Sequence, residues 1–177
     1  MSRNISEEQR EFDALFLKYY PGLVRFSKSL MNSGQAEAED VVQDVFLKFW
    51  QRRKGVAIHT GMASYLYTAV KNGICDLYRK KKITTYDPVD FVDDQQADYY
   101  LEPDRLLMFK QLHLDVDQMI ALLPERTQLV FRMSREDQLS YEQIAQLLGI
   151  SVNSVKTHMY RAIKFLKETF ERYNSLI

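Results

Sequence analysis

Apolar residues recur at spacings of three and four along most of the chain, the period of an α-helix with one buried face. No stretch shows the strict apolar–polar alternation of a half-buried strand. Read this way, the sequence predicts helices over 7–20, 22–32, 36–52, 62–80, 104–122, 125–134, 140–148 and 152–172, with Pro21 ending the first apolar pattern. Only six glycines and four prolines punctuate the 177 residues. The fold class that follows is all-α.

The sharpest local pattern is Ser140-Tyr-Glu-Gln-Ile-Ala-Gln-Leu-Leu-Gly149 and its continuation through Arg161. Ala145 is small where two helices must cross, Gly149 supplies a residue that tolerates positive φ at the turn, and Val155 returns the second helix onto the first. This is the spacing of a helix-turn-helix. Ser140 with Gln143 spells a capping box, and Ser151 is placed to cap the second helix. On a helix at about 100° per residue, Val152, Val155, Met159, Ala162, Ile163 and Leu166 form a core stripe. Asn153, Thr157, Tyr160, Arg161 and Lys164, with Lys156 and Lys167 flanking, share the other side, where donors and cations suit phosphates and base edges. Residues 143–167 hold four Lys/Arg and no Asp or Glu; a charge run by itself is usually a solvated face, and the Ala145, Gly149 and Val155 spacing is what favours a DNA-reading helix.

A formal net charge of zero hides an uneven distribution. Residues 1–85 carry 14 Lys/Arg against 9 Asp/Glu, and residues 105–177 carry 10 against 8. Between them seven acids, from Asp87 to Asp104, stand without a base. Pro88 and Pro103 bracket this stretch, which keeps no helical or strand period, so the expected organisation is two small helical domains, 1–85 and 104–177, joined by an acidic linker at 86–103. The single cysteine, Cys75, excludes an internal disulfide. With no apolar run near the roughly 18 residues of a membrane span and no leader-like N-terminal stretch, the expected location is the cytoplasm, without membrane insertion.

Two further stretches carry chemistry. In Asp40-Val-Val-Gln-Asp-Val-Phe-Leu-Lys-Phe-Trp50, Val41, Val42, Val45, Phe46, Phe49 and Trp50 form one wide apolar face. Asp40, Gln43, Asp44, Leu47 and Lys48 fall opposite, so an acidic-amide patch is expected to face outward. From Tyr65 to Lys82, Tyr65, Tyr67 and Tyr78 interleave with Lys71, Arg79, Lys80, Lys81 and Lys82. That mixture suits a nucleic-acid strand whose bases stack while its phosphates meet cations, and it equally suits packed tyrosines beside a basic helix end.

These three segments, in this order, resemble the extracytoplasmic-function group of bacterial sigma factors in the sigma-70 family. The Asp40 to Phe46 segment is similar to the family's region 2.2, Tyr65 to Arg79 to regions 2.3 and 2.4, and Leu122 through Arg161 to region 4, whose form here looks most like that of Bacteroidetes members. The resemblance implies a factor that directs core RNA polymerase to promoters and aids strand opening. It assigns Asp40, Gln43 and Asp44 to docking on the β′ clamp helices, and region 4 to the β flap. Asn72, flanked by Lys71 and Arg79, is assigned to the minus-10 element, where extruding a base costs a few kcal/mol and a capture pocket offsets part of it. Lys156, Thr157, Tyr160 and Arg161 are assigned to the minus-35 element. The acidic linker matches the interdomain segment in the RNA exit path, and an anti-sigma factor is an implied partner. Tyr65 stands where many members have Trp, Cys75 where a small or aliphatic residue is usual, and His158 where a basic residue is common. With the loop from Arg52 to Gly61 also distinctive, the promoter sequence and the captured base stay open.

Two other classes are weighed against this. His59, His113 and His158 show no metal-ligand spacing, and neither a Gly-rich phosphate loop nor an activated nucleophile is present, so no enzyme, cofactor, metal or small-molecule substrate is expected. A stand-alone helix-turn-helix regulator accounts for residues 140–167 but for neither Asp40 to Trp50 nor Tyr65 to Lys82.

Overall fold

The structure, a computed structural model, describes residues 2–31, 34–52, 61–80 and 116–174. Among these the chain forms seven helices and no strand: α1 Ser2–Leu30, α2 Gln35–Arg52, α3 Met62–Lys80, α4 Val116–Ala121, α5 Glu125–Arg135, α6 Tyr141–Leu148 and α7 Val152–Asn174. The acidic linker at 86–103, the first part of the helix expected over 104–122, and most of the Arg52 to Gly61 loop lie outside the described residues.

α1 corrects the expected break at Pro21, because it runs unbroken through that residue. Proline removes the N–H that would bond the Leu17 carbonyl and crowds that carbonyl. Both residues are exposed, Leu17 at 76%, so the freed acceptor belongs to the water-facing side. The opposite face buries Tyr19, Leu23, Phe26 and Leu30, and that burial holds the helix on course.

Aromatic rings fill the space between α1 and α2. Phe12 lies 4.7 Å from Trp50, and Phe16 lies 4.9 Å from Phe46 and 4.6 Å from Tyr20. Deeper in, Phe26 meets Tyr67 of α3 edge-on at 5.0 Å, a geometry favoured by the ring quadrupoles. The core does not stop at the end of α3. Leu129, Val130 and Met133 of α5 and Ile144, Leu147 and Leu148 of α6 belong to the same buried cluster as Leu23, Val42, Tyr67 and Val70. α1 packs on α5 and α3 packs on α6, so the two halves share one apolar interior. A smaller cluster of Ile120, Leu123 and Ala162, with Phe131, Phe165 and Leu166, seats α4 against α7.

Local signals set the ends of the later helices. α5 follows Pro124 and opens on Glu125, and it closes on Arg132 and Arg135, charges that complement its dipole. Arg132 pairs with Asp117 of α4 at 3.3 Å and with Glu136, tying the α5 terminus to α4. The turn into α6 places Gln138 at φ 57°, among the described residues the one non-glycine in the left-handed region. A side chain there costs about 1–2 kcal/mol, whereas glycine adopts the region freely at some loss of unfolded-state entropy. Gln138→Gly is therefore expected to stabilise the protein by about 0.5–1 kcal/mol, read as a higher midpoint in urea. A lower midpoint would show that the Gln138 side chain contributes more than its backbone conformation costs.

Candidate nucleic-acid and partner interfaces

The helix-turn-helix is built as its residues dictate. The Gln143 N–H donates to Ser140 Oγ at 3.2 Å while the Ser140 N–H donates to Gln143 Oε1 at 2.9 Å, a complete capping box. The backbone N–H of Glu142 itself, and after it the Ser140 hydroxyl, hold the Glu142 carboxyl below its usual range. Gly149 ends α6 at φ 71° and ψ 28°, and the Ile150 N–H donates to the Ala145 carbonyl at 3.0 Å. The Ser154 N–H then donates to Ser151 Oγ at 3.0 Å to start α7. Ala145 is buried at the crossing, and Val155 is buried against it.

On α7 the inward stripe holds Val155, Met159 and Ala162 fully, with Val152 and Leu166 half-buried. Ile163 departs from expectation: placed in the core by the helical wheel, it is 47% exposed. It falls at the edge of the stripe, and His158, on another side of the helix, is a buried position that the wheel does not place in the core. His158 is buried, with Nδ1 3.0 Å from Thr127 Oγ1 of α5, so the residue that stands where a basic reader is common faces inward. Asn153, Lys156, Thr157, Tyr160 and Lys164 are exposed, and Arg161 is half-buried. Thr157 Oγ1 donates back to the Asn153 carbonyl at 2.9 Å, and the Tyr160 ring is 68% exposed beside it. The surface thus offers cations, an amide and a phenol to a groove.

The α2 patch is arranged as the wheel predicts. Val41, Val42, Val45, Phe46 and Phe49 are buried, while Asp40, Gln43, Asp44, Leu47 and Lys48 are exposed. Gln43 Nε2 reaches the Tyr20 hydroxyl at 3.5 Å. Between this patch and α3 runs an open groove whose walls are Asp40, Asp44 and Lys48 on one side and Asp76, Leu77 and Lys80 on the other. Among the described residues no three acidic, His or Cys side chains group as a metal site, and no helix is long and apolar enough to cross a membrane.

On α3 the two readings left open for the tyrosines meet their contacts. Tyr67 is no stacking platform: it is fully buried, and its hydroxyl donates to Asp137 Oδ2 at 2.6 Å. Tyr65 is half-buried, 5.9 Å from Phe49, so both rings take part in packing. Lys71 is half-buried and engaged, donating to the carbonyls of Gln146 and Leu147 at 2.9 and 3.0 Å. Asn72 and Arg79 are exposed, with Arg79 3.1 Å from Asp76. The structure therefore keeps Asn72 and Arg79 on one helix surface and turns Lys71 toward the helix-turn-helix. Asp137 and Thr127 escaped sequence reasoning because their partners lie 70 and 31 residues away, and no local spacing announces such pairs.

The chain is matched by the family models Sigma-70 region 2 over residues 15–83 and Sigma-70, region 4 over residues 113–166. It is similar to the RNA polymerase sigma-H factor of Pseudomonas aeruginosa, at 26% identity over 88% of this chain and 83% of that protein. It is also similar to the ECF RNA polymerase sigma factor SigW of Bacillus subtilis, at 26% identity over 75% of this chain and 74% of that protein. Among solved structures, the sigma factor RpoE in complex with the anti-sigma factor NepR from Bartonella quintana aligns with a TM-score of 0.45, at 23% identity, covering 92% of this chain and 98% of that one.

Proposed function

The chain belongs to the sigma-70 family and is an RNA polymerase sigma factor of the extracytoplasmic-function group, and we propose that three of its surfaces divide promoter recognition among them. Asp40, Gln43 and Asp44 dock on the β′ clamp helices of core polymerase. Asn153, Lys156, Thr157, Tyr160, Arg161 and Lys164 read the minus-35 element in the major groove. Asn72, with Lys71 and Arg79, serves the minus-10 element and its opening. The domains are residues 1–85 and 104–177, joined by the acidic linker at 86–103, and region 4 also meets the β flap. The factor works in the cytoplasm, has no catalytic step of its own, and is restrained by an anti-sigma factor.

The observation that carries this reading is the coexistence of two outward faces of opposite character. α7 presents Lys156, Tyr160 and Lys164 to solvent, and α2 presents Asp40, Gln43 and Asp44. A DNA-binding module working alone has use for the first and none for the second. Gel filtration of the purified chain with core RNA polymerase is the test: co-elution supports the reading, and separate elution with tight duplex binding by the free chain supports a stand-alone regulator.

The two DNA surfaces are separable. Arg161→Ala removes a guanidinium fork from the recognition helix and is expected to weaken closed-complex binding by about 1–3 kcal/mol. Asn72→Ala removes a short exposed amide, so closed-complex binding survives while permanganate reactivity of unpaired thymines near the start site falls. Equal loss of duplex binding in both variants, with no separate opening defect, would contradict the division.

A further inference from the structure

α7 carries its reading residues on one side and a buried polar contact on another. His158 and Thr127 of α5 are both buried, and Thr127 Oγ1 lies 3.0 Å from His158 Nδ1. Along the same contact of α5 with α7, Leu129, Val130 and Met133 share one buried cluster with Val155 and Met159, while Phe131 packs with Ala162 in the other. Thr127 belongs to the first turn of α5, and the next residue, Gln128, donates from Nε2 to the Ile120 carbonyl of α4 at 3.0 Å. The α5 end of the pair is thus itself tied down. On α7, Lys156 and Thr157 precede His158 and Tyr160 and Arg161 follow it, so the buried imidazole sits in the middle of the reading sequence.

What separates this pair from its apolar neighbours is direction. Burial of apolar surface is non-directional and tolerates a small rotation of one helix on another, whereas a hydrogen bond weakens steeply once its angle or length leaves the preferred range. With side chains an α-helix has a radius of about 5–6 Å, so turning it by about 10° carries a reading side chain through about 1 Å. A bidentate contact to a base edge does not survive that, because its donor–acceptor distances span only about 0.5 Å. A lysine on its four-carbon stem follows a phosphate through the same displacement. Stability alone does not call for such a pair, since replacing both partners of a buried hydrogen bond by apolar groups of like shape is nearly neutral or stabilising.

Resting on the assignment of α7 to the minus-35 element, we propose that Thr127 and His158 form a brace that fixes the rotation of α7 about its axis, making His158 a positioning residue that governs base discrimination without touching DNA. Tyr160 and Arg161 are the side chains it aims. Loss of the brace loosens discrimination between sequences and leaves the attraction to phosphates in place.

The test uses holoenzyme assembled from core RNA polymerase and the full chain, with a duplex spanning an initiation site mapped on the source genome. Two quantities are read: the ratio of affinities for that duplex and for the same duplex with its minus-35 element scrambled, and the Tm of the chain. Thr127→Val keeps the side-chain shape and removes the hydroxyl, and it is expected to lower the Tm and to cut the ratio about tenfold. Adding His158→Leu makes the pair apolar. The Tm should then recover to that of the unmodified chain or above it, while the ratio stays about tenfold low, because packing returns and direction does not. His158→Asn places Oδ1 where Nδ1 stood and still accepts from Thr127, so the ratio is expected to hold within about twofold although the smaller side chain lowers the Tm. A ratio that rises and falls with the Tm across the three variants, or one that Thr127→Val leaves unmoved, would overturn the brace and leave minus-35 reading by α7 intact. An unmodified holoenzyme that does not distinguish the two duplexes would overturn the minus-35 assignment and the brace with it.

Discussion

Exchanging Asp40 and Asp44 for lysine together is expected to abolish binding to core RNA polymerase while the fold survives. The two carboxylates are exposed on one face of α2, a single turn apart. Substitutions at such surface positions change stability by about 0.5 kcal/mol or less. Binding is another matter, because reversing two charges at a complementary interface replaces attraction with repulsion and costs several kcal/mol. A loss of about 4 kcal/mol is expected, roughly a thousandfold in Kd, measured by competition against the unmodified chain for core polymerase. Unchanged affinity would move the docking surface off α2. A large fall in melting temperature would instead show that the acids support the fold.

The largest effect on stability is expected from Phe46→Ala. This side chain is 2% exposed and its ring meets Phe12 at 6.0 Å, Phe16 at 4.9 Å and Tyr20 at 6.4 Å. Removing a buried phenyl group costs about 3–5 kcal/mol through lost transfer energy and the cavity left behind. In a chain of this size that corresponds to a drop in Tm of roughly 10 °C. Since α1–α3 and α5–α6 share one buried cluster, the drop should move a single calorimetric transition. Two transitions, with only the earlier one shifted, would mean that the halves unfold independently.

The parts of this fold that could be read in advance are those whose causes are local. Ser140, Gln143, Gly149 and Ser151 act on backbone groups within a few residues, and each does what its chemistry requires. The outward face of α2 follows from helical period alone, because one broad apolar side leaves only one side for Asp40, Gln43 and Asp44. Pro21 shows a local rule overruled, since its missing donor falls on the wet side of a helix held by burial on the other. Tyr67 and Lys71 show the reverse limit. A tyrosine and a lysine one turn apart look alike whether they face a nucleic-acid strand or another helix, and the partners they meet in this structure, Asp137 and the end of α6, lie some 70 residues further on. Ile163 was misplaced for a simpler reason: a wheel gives direction, and only the reach of neighbouring helices decides which edge positions are covered.

Transcription initiation with purified components tests the central claim most directly. Core RNA polymerase free of other sigma factors would be given this chain and fragments of the source genome, and the 5′ ends of the RNAs mapped. A sigma factor is expected to produce initiation at a small set of discrete sites, absent with core polymerase alone, that share two short elements centred about 25 base pairs apart and are lost in the Asp40→Lys, Asp44→Lys variant. Initiation no different from that of core polymerase alone would contradict the account.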